Sequence, residues 1–262
     1  MIPIVVAGAT GRTGRPVALG VHGAPDMALI GAVARHQAGL LLGPLIGEED
    51  LDVVVQRDLQ DIAAEYAVLI DFTEAKSALD RSLYAMERGW DIVLGTTGFH
   101  EQEIARLDQA VRHTGVGAAL IANFSLGSFV AEKMVELVSR YYSQVEVIEA
   151  HSHSKKDQPS GTARRMADLL GVFLDKPSDS IPIHSVRLSG MVAHQRTLFG
   201  GQGEVITIGH DVHDRGAYVA GVLAATRAVG LARGRLLTDL SEIWSLVPRQ
   251  SKVPPTRPTE ST

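Results

Sequence analysis

The chain has 262 residues, 45% of them hydrophobic and 21% charged, with 25 Lys and Arg against 30 Asp and Glu and a formal net charge of −5. This is the composition of a soluble globular chain of one large or two modest domains, and the acidic balance argues against a nucleic-acid partner. Cysteine is absent, which excludes disulfides, thiolate zinc sites and a cysteine nucleophile, and fits a reducing cytoplasm.

The first residues, Met1-Ile2-Pro3-Ile4-Val5-Val6, carry no basic segment, so no signal peptide is expected. No apolar stretch reaches ~18 residues, so no membrane span is expected. Ile2 to Ala7 reads as a buried strand, and Pro16 to Val21 as a helix. Between them lies Gly8-Ala9-Thr10-Gly11-Arg12-Thr13-Gly14. A strand, a glycine turn and a helix in that order form a dinucleotide-binding turn, because glycines let the backbone approach a pyrophosphate that the helix N-terminus faces. Met27 to Val33 is the second strand, whose end should approach the adenosine ribose. The residues there are Ala34-Arg35-His36, with no acid before Glu48. An arginine in place of an acid favours NADPH over NADH.

Val68 to Thr73 is a further buried strand, followed by a helical pattern of Ala75, Ala78, Leu79, Leu83 and Met86. Asp91 to Leu94 and Gly117 to Ala122 are two more strands, ending in Gly95-Thr96-Thr97-Gly98 and Asn123-Phe124-Ser125. Strands alternating with helices predict a doubly wound parallel sheet, which binds ligands beyond the carboxyl ends of its strands. Leu126 to Tyr142 is helical. Val145 to Ala150 is a strand, and Ala163, Met166, Ala167 and Leu170 share one face of a helix.

The loop between that strand and helix holds His151, His153, Lys155, Lys156 and Pro159-Ser160-Gly161-Thr162. The histidines can exchange protons near neutral pH. Ser160 suits an N-cap, and a helix N-terminus flanked by hydroxyls and a lysine is a site for a carboxylate or phosphate. Three strand-like runs follow, Ile183 to Leu188, Gln195 to Phe199 and Val205 to Ile208, separated by glycines and expected to form an antiparallel meander. His210, Asp211, His213 and Asp214 form a dense cluster after the last of them. It is expected to be a solvated loop, and no metal site is expected. Gly216 to Leu231 and Leu236 to Leu246 read as helices, and the proline-rich 248–262 as a disordered tail.

The run Glu149-Ala150-His151-Ser152-His153-Ser154-Lys155-Lys156-Asp157-Gln158-Pro159-Ser160-Gly161-Thr162-Ala163 resembles the signature of the dihydrodipicolinate reductase family, Glu-x-His-His-x-x-Lys-x-Asp-x-Pro-Ser-Gly-Thr-Ala. The likeness extends through Gly8 to Arg15, Asp71-Phe72-Thr73, Gly95 to Gly98, Ala122 to Ser125 and Ser185-Val186-Arg187, in order along roughly the first 230 residues.

The resemblance implies an α/β fold, a Rossmann-type sheet in 1–122 and 215–247 with an inserted α+β substrate and oligomerisation domain in 123–214 built on a mixed or antiparallel sheet. It implies a homotetramer, to which composition adds a cytoplasmic location and no nucleic-acid or membrane partner. The reaction implied is NAD(P)H-dependent reduction of a cyclic unsaturated imine dicarboxylate in lysine and diaminopimelate biosynthesis. Carried over, His151 is the proton-transfer residue and Lys155 binds or polarises the substrate. Ser152, His153, Ser160, Gly161 and Thr162 contact the substrate. Gly8, Thr10, Gly11, Arg12, Thr13, Phe72, Thr73, Gly95, Thr96, Thr97, Gly98, Asn123 and Phe124 line the cofactor, joined by Arg35 on the reading of the residues after the second strand.

The sequence departs from the family in four places. Ser152 stands for the family's second histidine, Arg35 for a frequent acid, Leu126-Gly127-Ser128 for Gly-Val-Asn, and Gln195 for a histidine, with His194 beside it. Two readings follow: a working dihydrodipicolinate reductase, or a diverged relative that acts on another imine or carbonyl acid or runs a different reaction on the same scaffold.

Overall fold

A computed structural model describes residues 1–247; the segment expected to be a disordered tail, 248–262, lies outside the described residues. The first strand, β1 (Ile2–Ala7), is buried on both faces. Ile4 and Val6 point to one apolar layer and Val5 and Ala7 to another, as strand alternation requires. After it come α1 (Gly14–His22), β2 (Met27–Val33), α2 (Leu42–Ile46), β3 (Val55–Gln56), β4 (Val68–Asp71), α3 (Ala75–Glu87), β5 (Asp91–Leu94), α4 (Glu101–Thr114) and β6 (Ala118–Leu120).

The chain then leaves this sheet for α5 (Leu126–Val138), β7 (Gln144–His151), α6 (Gly161–Leu174), β8 (Ile183–Arg187), β9 (Ala193–Gly201) and β10 (Glu204–Val212). It returns through α7 (Val219–Val229) to β11 (Leu236–Leu237) and α8 (Leu240–Leu246). The seven strands of the first sheet lie in the order β11-β6-β5-β4-β1-β2-β3, every neighbouring pair parallel. One face packs on α1, α7 and α8 through Val17, Val21, Val222, Ala225 and Ile243. The other packs on α3 and α4 through Leu79, Met86, Leu107 and Val111. The strand order reverses between β1 and β4, which opens a crevice at their carboxyl ends. No helix among the described residues is long and apolar enough to cross a membrane.

The second sheet has the order β10-β9-β7-β8. Val145, Val147, Phe199 and Ile208 of its inner face pack on Ala131 and Val135 of α5 and on Met166, Ala167 and Leu170 of α6. The expected meander is corrected here. β8 pairs with β7 in parallel, with Val147 opposite Ile183, Glu149 opposite Ser185 and His151 opposite Arg187. The physical reason is the 14-residue helix α6 between them, which carries the chain back along the sheet so that the next strand runs the same way. Only β9 and β10 form an antiparallel hairpin, and β7 pairs antiparallel to β9.

The segment 236–246 expected as one helix is divided. Leu236 and Leu237 add a parallel strand to β6, and the helix starts only after Asp239, which makes a capping box with Glu242. Helix α5 stops at Val138 rather than Tyr142, where the Ser139 hydroxyl donates to the Val135 carbonyl. The chain at 215–218 is a 3-10 turn before α7 begins. Helices α2 and α4 and the short β3 had no counterpart in the sequence reading. His210 and Asp211 belong to β10 rather than to a solvated loop.

Candidate active site

The turn after β1 is shaped by its glycines. Gly8 has φ +79°, a backbone state that strains any other residue. A Cβ on Gly14 would fall 1.9 Å from the Gly8 carbonyl oxygen, so only glycine lets α1 start so close under the turn. Gly8 N–H donates to the Val33 carbonyl (2.8 Å), tying the turn to the end of β2. The result is a cleft of about 750 Å³ lined by Gly8, Thr10, Gly11, Arg35, Arg57 and Thr73. His36 and Gln37 also reach it, and Thr10 Oγ1 donates to Gln37 Oε1 (3.1 Å). The rim at β2 therefore carries an exposed arginine and no acid, with Arg57 and Asp58 nearby just after β3.

The far wall of the cleft is the turn after β4. Asp71 is fully buried, and Arg81 Nε on α3 donates to its Oδ2 (2.8 Å). Thr73 donates to Asp71 Oδ1 from both its N–H (2.8 Å) and its Oγ1 (2.6 Å). Phe72 packs against Phe124 with ring centroids 5.8 Å apart. Gly95 is small because a Cβ there would enter the Phe72 ring. Thr96 is buried with its hydroxyl donating to the Asp71 carbonyl (3.2 Å), so its side chain serves the turn rather than facing the cleft. Arg12, Thr97 and Gly98 are exposed. Thr13 accepts from Arg215 (3.4 Å), and Asn123 Oδ1 accepts from the Ser125 N–H (3.0 Å). Of the expected cofactor residues, Gly8, Thr10, Gly11, Arg35 and Thr73 meet in this one cleft. Arg12, Thr13, Phe72, Gly95 to Gly98, Asn123 and Phe124 are not among its walls.

The polar loop is organised differently, from the inner face of the second sheet. The rows across that face change from Val145 and Phe199, to Ile183, Val147, Thr197 and Ile208, to Ser185, Glu149, Gln195 and His210, and end at Arg187, His151 and Ala193. Apolar packing thus passes into a polar row and then into the site. Glu149 is fully buried, and His151 Nδ1 lies 2.5 Å from its Oε2. Arg187 donates to both carboxylate oxygens, at 2.9 and 2.8 Å, and also to the Asp157 carbonyl (2.7 Å). The Ser160 N–H donates to Glu149 Oε1 (3.3 Å). Burial by itself would raise the Glu149 carboxyl, but hydrogen bonds from Arg187, Ser185 and His151 outweigh it and hold the group down to about 2.

Helix α6 opens at that carboxylate. Ser160 Oγ accepts from the Ala163 N–H (3.2 Å) as N-cap and lies 3.2 Å from Thr162 Oγ1. Gly161 and Thr162 are exposed, and a Cβ on Gly161 would meet nothing. Lys155 Nζ pairs with Asp157 Oδ1 (2.9 Å). Ser152 Oγ lies 3.1 Å from Ser154 Oγ, and exposed His153 is 3.2 Å from Ser189 Oγ. His151 is thus brought to Glu149 and the start of α6, whereas His153 faces away. His194 likewise does not replace the family histidine at Gln195. It points to the opposite face of the sheet, 2.7 Å from Asp211 Oδ1. Asp211 is also held by both guanidinium nitrogens of Arg196.

Two residues of the site had been given no role from the sequence. Glu149 carried a usable signal, since residues two apart in a strand share a face with His151. Arg187 lay inside the stretch Ser185-Val186-Arg187 that resembles the family, but nothing in that stretch pointed to Glu149, because its approach depends on the parallel register of β7 and β8.

The charge of Glu149 has a pH signature. Its folded carboxyl titrates well below its ordinary 4.5, so the stability it contributes is present above about pH 4.5 and is lost as pH falls through about 2. That window corresponds to about 3 kcal/mol. Urea unfolding of wild type and Glu149→Gln at a series of pH values should show a difference that is constant near neutrality and shrinks between pH 4.5 and 2. A pH-independent difference refutes the assignment.

The chain matches the family model for the dihydrodipicolinate reductase N-terminus over residues 2–124 and that for its C-terminus over residues 126–243. It is 37% identical to the 4-hydroxy-tetrahydrodipicolinate reductase of Moorella thermoacetica over 252 residues, 89% of this chain and 94% of that one. It is 35% identical to the same enzyme of Synechococcus elongatus, with 87% and 93% covered. Among solved structures it resembles a dipicolinate-bound dihydrodipicolinate reductase from Paenisporosarcina sp. TG-14, with a TM-score of 0.78, 27% identity, and 93% and 99% of the two chains covered. An amine dehydrogenase from Mycobacterium smegmatis, at 15% identity and a TM-score of 0.61, shares the fold. With both halves matched in order, the chain belongs to the dihydrodipicolinate reductase family, and it is an oxidoreductase that draws on NADPH or NADH.

Proposed function

We propose that this protein reduces dihydrodipicolinate to tetrahydrodipicolinate in the cytoplasm, as a step of lysine and diaminopimelate biosynthesis, and that NADPH is its preferred donor. The observation that carries the reading is the pairing of His151 with a buried, ionised Glu149 at the open N-terminus of α6. Residues 1–122 and 215–247 form the cofactor unit, and 123–214 the substrate unit.

A bound nicotinamide supplies the hydride. Adding hydride to an unsaturated imine leaves an enamine-like anion, and His151 delivers the proton that completes the product. The carboxylates of the substrate are drawn to the free N–H groups and hydroxyls at 160–162, and Lys155 adds positive charge beside them. Lys155 must exchange its Asp157 partner for the substrate, at little cost since both side chains are partly exposed. The glycine turn of 8–14 admits the pyrophosphate, and Arg35 with Arg57 favours a 2′-phosphate on the ribose.

The outer face of the second sheet supports assembly. It bears exposed Val205 and Val186 and a groove of about 660 Å³ that includes Ile148 and Leu198. We read it as the surface through which the chain forms a homotetramer. One observation favours a second reading, a diverged reductase of another imine or keto acid. Ser152 lies against Ser154, where the family has a second histidine.

NADPH oxidation with dihydrodipicolinate generated in situ by its synthase tests the function. Wild type should turn over, and His151→Ala should lower kcat by about 10²–10⁴ with nicotinamide binding nearly unchanged. No wild-type turnover, with nicotinamide binding intact by fluorescence, would decide for the diverged reading. Arg35→Ala should weaken NADPH far more than NADH in a fluorescence titration, and equal losses would remove the case for NADPH. Sedimentation equilibrium should give four times the chain mass; a monomer would exclude the role assigned to the outer sheet face.

A further inference from the structure

We propose that Glu149 and Arg187 are positioning residues of this site: Glu149 holds His151 with its Nδ1 protonated, so that the mobile proton is always the one on Nε2, and Arg187 holds Glu149 in place. The inference rests on the reading of His151 as proton donor.

Glu149 Oε2 lies 2.5 Å from His151 Nδ1, inside hydrogen-bond distance, and a carboxylate can only accept there. His151 Nε2 makes no hydrogen bond among the described residues, and the side chain keeps 11% exposure, so one edge of the ring is open. In the charged imidazolium both nitrogens carry protons. When Nε2 gives its proton to the substrate carbon, the ring becomes neutral with Nδ1 still protonated, which is the tautomer that Glu149 accepts from. Solvent then restores the Nε2 proton. A ring protonated on Nε2 alone would place a lone pair against a buried carboxylate, and a ring turned over would face it with the Cδ2–H edge and lose the hydrogen bond.

Arg187 is the reason the carboxylate stays where it is. It grips both oxygens of Glu149 and the Asp157 carbonyl, and so fixes the 152–159 loop to the same anchor. The Ser160 N–H bond to Glu149 adds the start of α6. One carboxylate therefore sets the donor, the loop and the substrate cradle relative to each other.

The test uses the full-length protein with ¹⁵N-labelled histidine, read by imidazole NMR without substrate, alongside kcat, KM and NADPH binding. In wild type, neutral His151 should be protonated on Nδ1. In Glu149→Gln the signal should move toward the Nε2-protonated form or a mixture, because a side-chain amide can donate to Nδ1 as well as accept. The same variant should lose on the order of 10–10³-fold in kcat, with NADPH affinity nearly unchanged and any rise in KM smaller than the kcat loss. Glu149→Asp, which keeps the charge opposite Arg187, is the second variant should the first not fold. Its retracted carboxylate should also disturb the tautomer and lower kcat, and Arg187→Lys should fall between it and wild type. A folded variant with the wild-type tautomer and kcat overturns the proposal. So does a kcat loss matched by an equal loss of NADPH affinity, since that marks a structural collapse. If wild type turned over no dihydrodipicolinate but showed the Nδ1 tautomer and its loss in Glu149→Gln, the functional reading would fail and the positioning would stand.

Discussion

A fully buried carboxylate, that of Glu149, is the constraint on which the substrate half of this protein depends. Burying a lone charge costs several kcal/mol, and such a group survives only when its oxygens are fully partnered. Here the partners come from three places in the chain: His151 two residues away, Ser160 at the start of α6, and Arg187 on β8. Each partner fixes an element. The parallel pairing of β7 and β8 brings Arg187 into line, the crossover helix α6 starts at the carboxylate, and the loop between them is tied down through Asp157.

The cofactor half uses the same device once more. Asp71, also fully buried, gathers Arg81 and both donors of Thr73, and thereby shapes the turn that faces the glycine loop across the cleft. In each half a charged pair sits where a strand ends and a ligand-facing turn begins. Apolar packing cannot orient a polar turn, since it is non-directional, whereas an ion pair with added hydrogen-bond donors can. The two halves are joined by similar means, Arg165 of α6 reaching Asp239 at the start of α8.

Much of this was legible in the chain itself. The strands at Ile2–Ala7, Met27–Val33 and Asp91–Leu94 have the bounds their apolar runs suggest, because buried parallel strands are continuous hydrophobic segments ended by glycine or polar residues. The helix after Ser160 was equally plain, since its cap and its apolar stripe are local signals. Weaker local signals failed. Leu236 and Leu237 are too short a strand to be told from the helix that follows. His210 and Asp211 read as loop residues because their partners, Ser125 and Arg196, are remote in sequence or on another strand.

What the sequence alone determined was the family, the doubly wound sheet, the glycine turn and the presence of a histidine beside an anion-binding helix start. All are set by short-range pattern: periodicity, caps and the conformational freedom of Gly8. What only the tertiary structure decided was which of the polar residues act together. Strand alternation turned His194 to the outer face and put Gln195 on the inner one. The end of β7 at His151 left His153 outside the buried site. The direction of β8, set by the helix that precedes it, brought Arg187 to Glu149. These are matters of register and strand direction, which depend on contacts between segments far apart in the chain, and no local spacing encodes them.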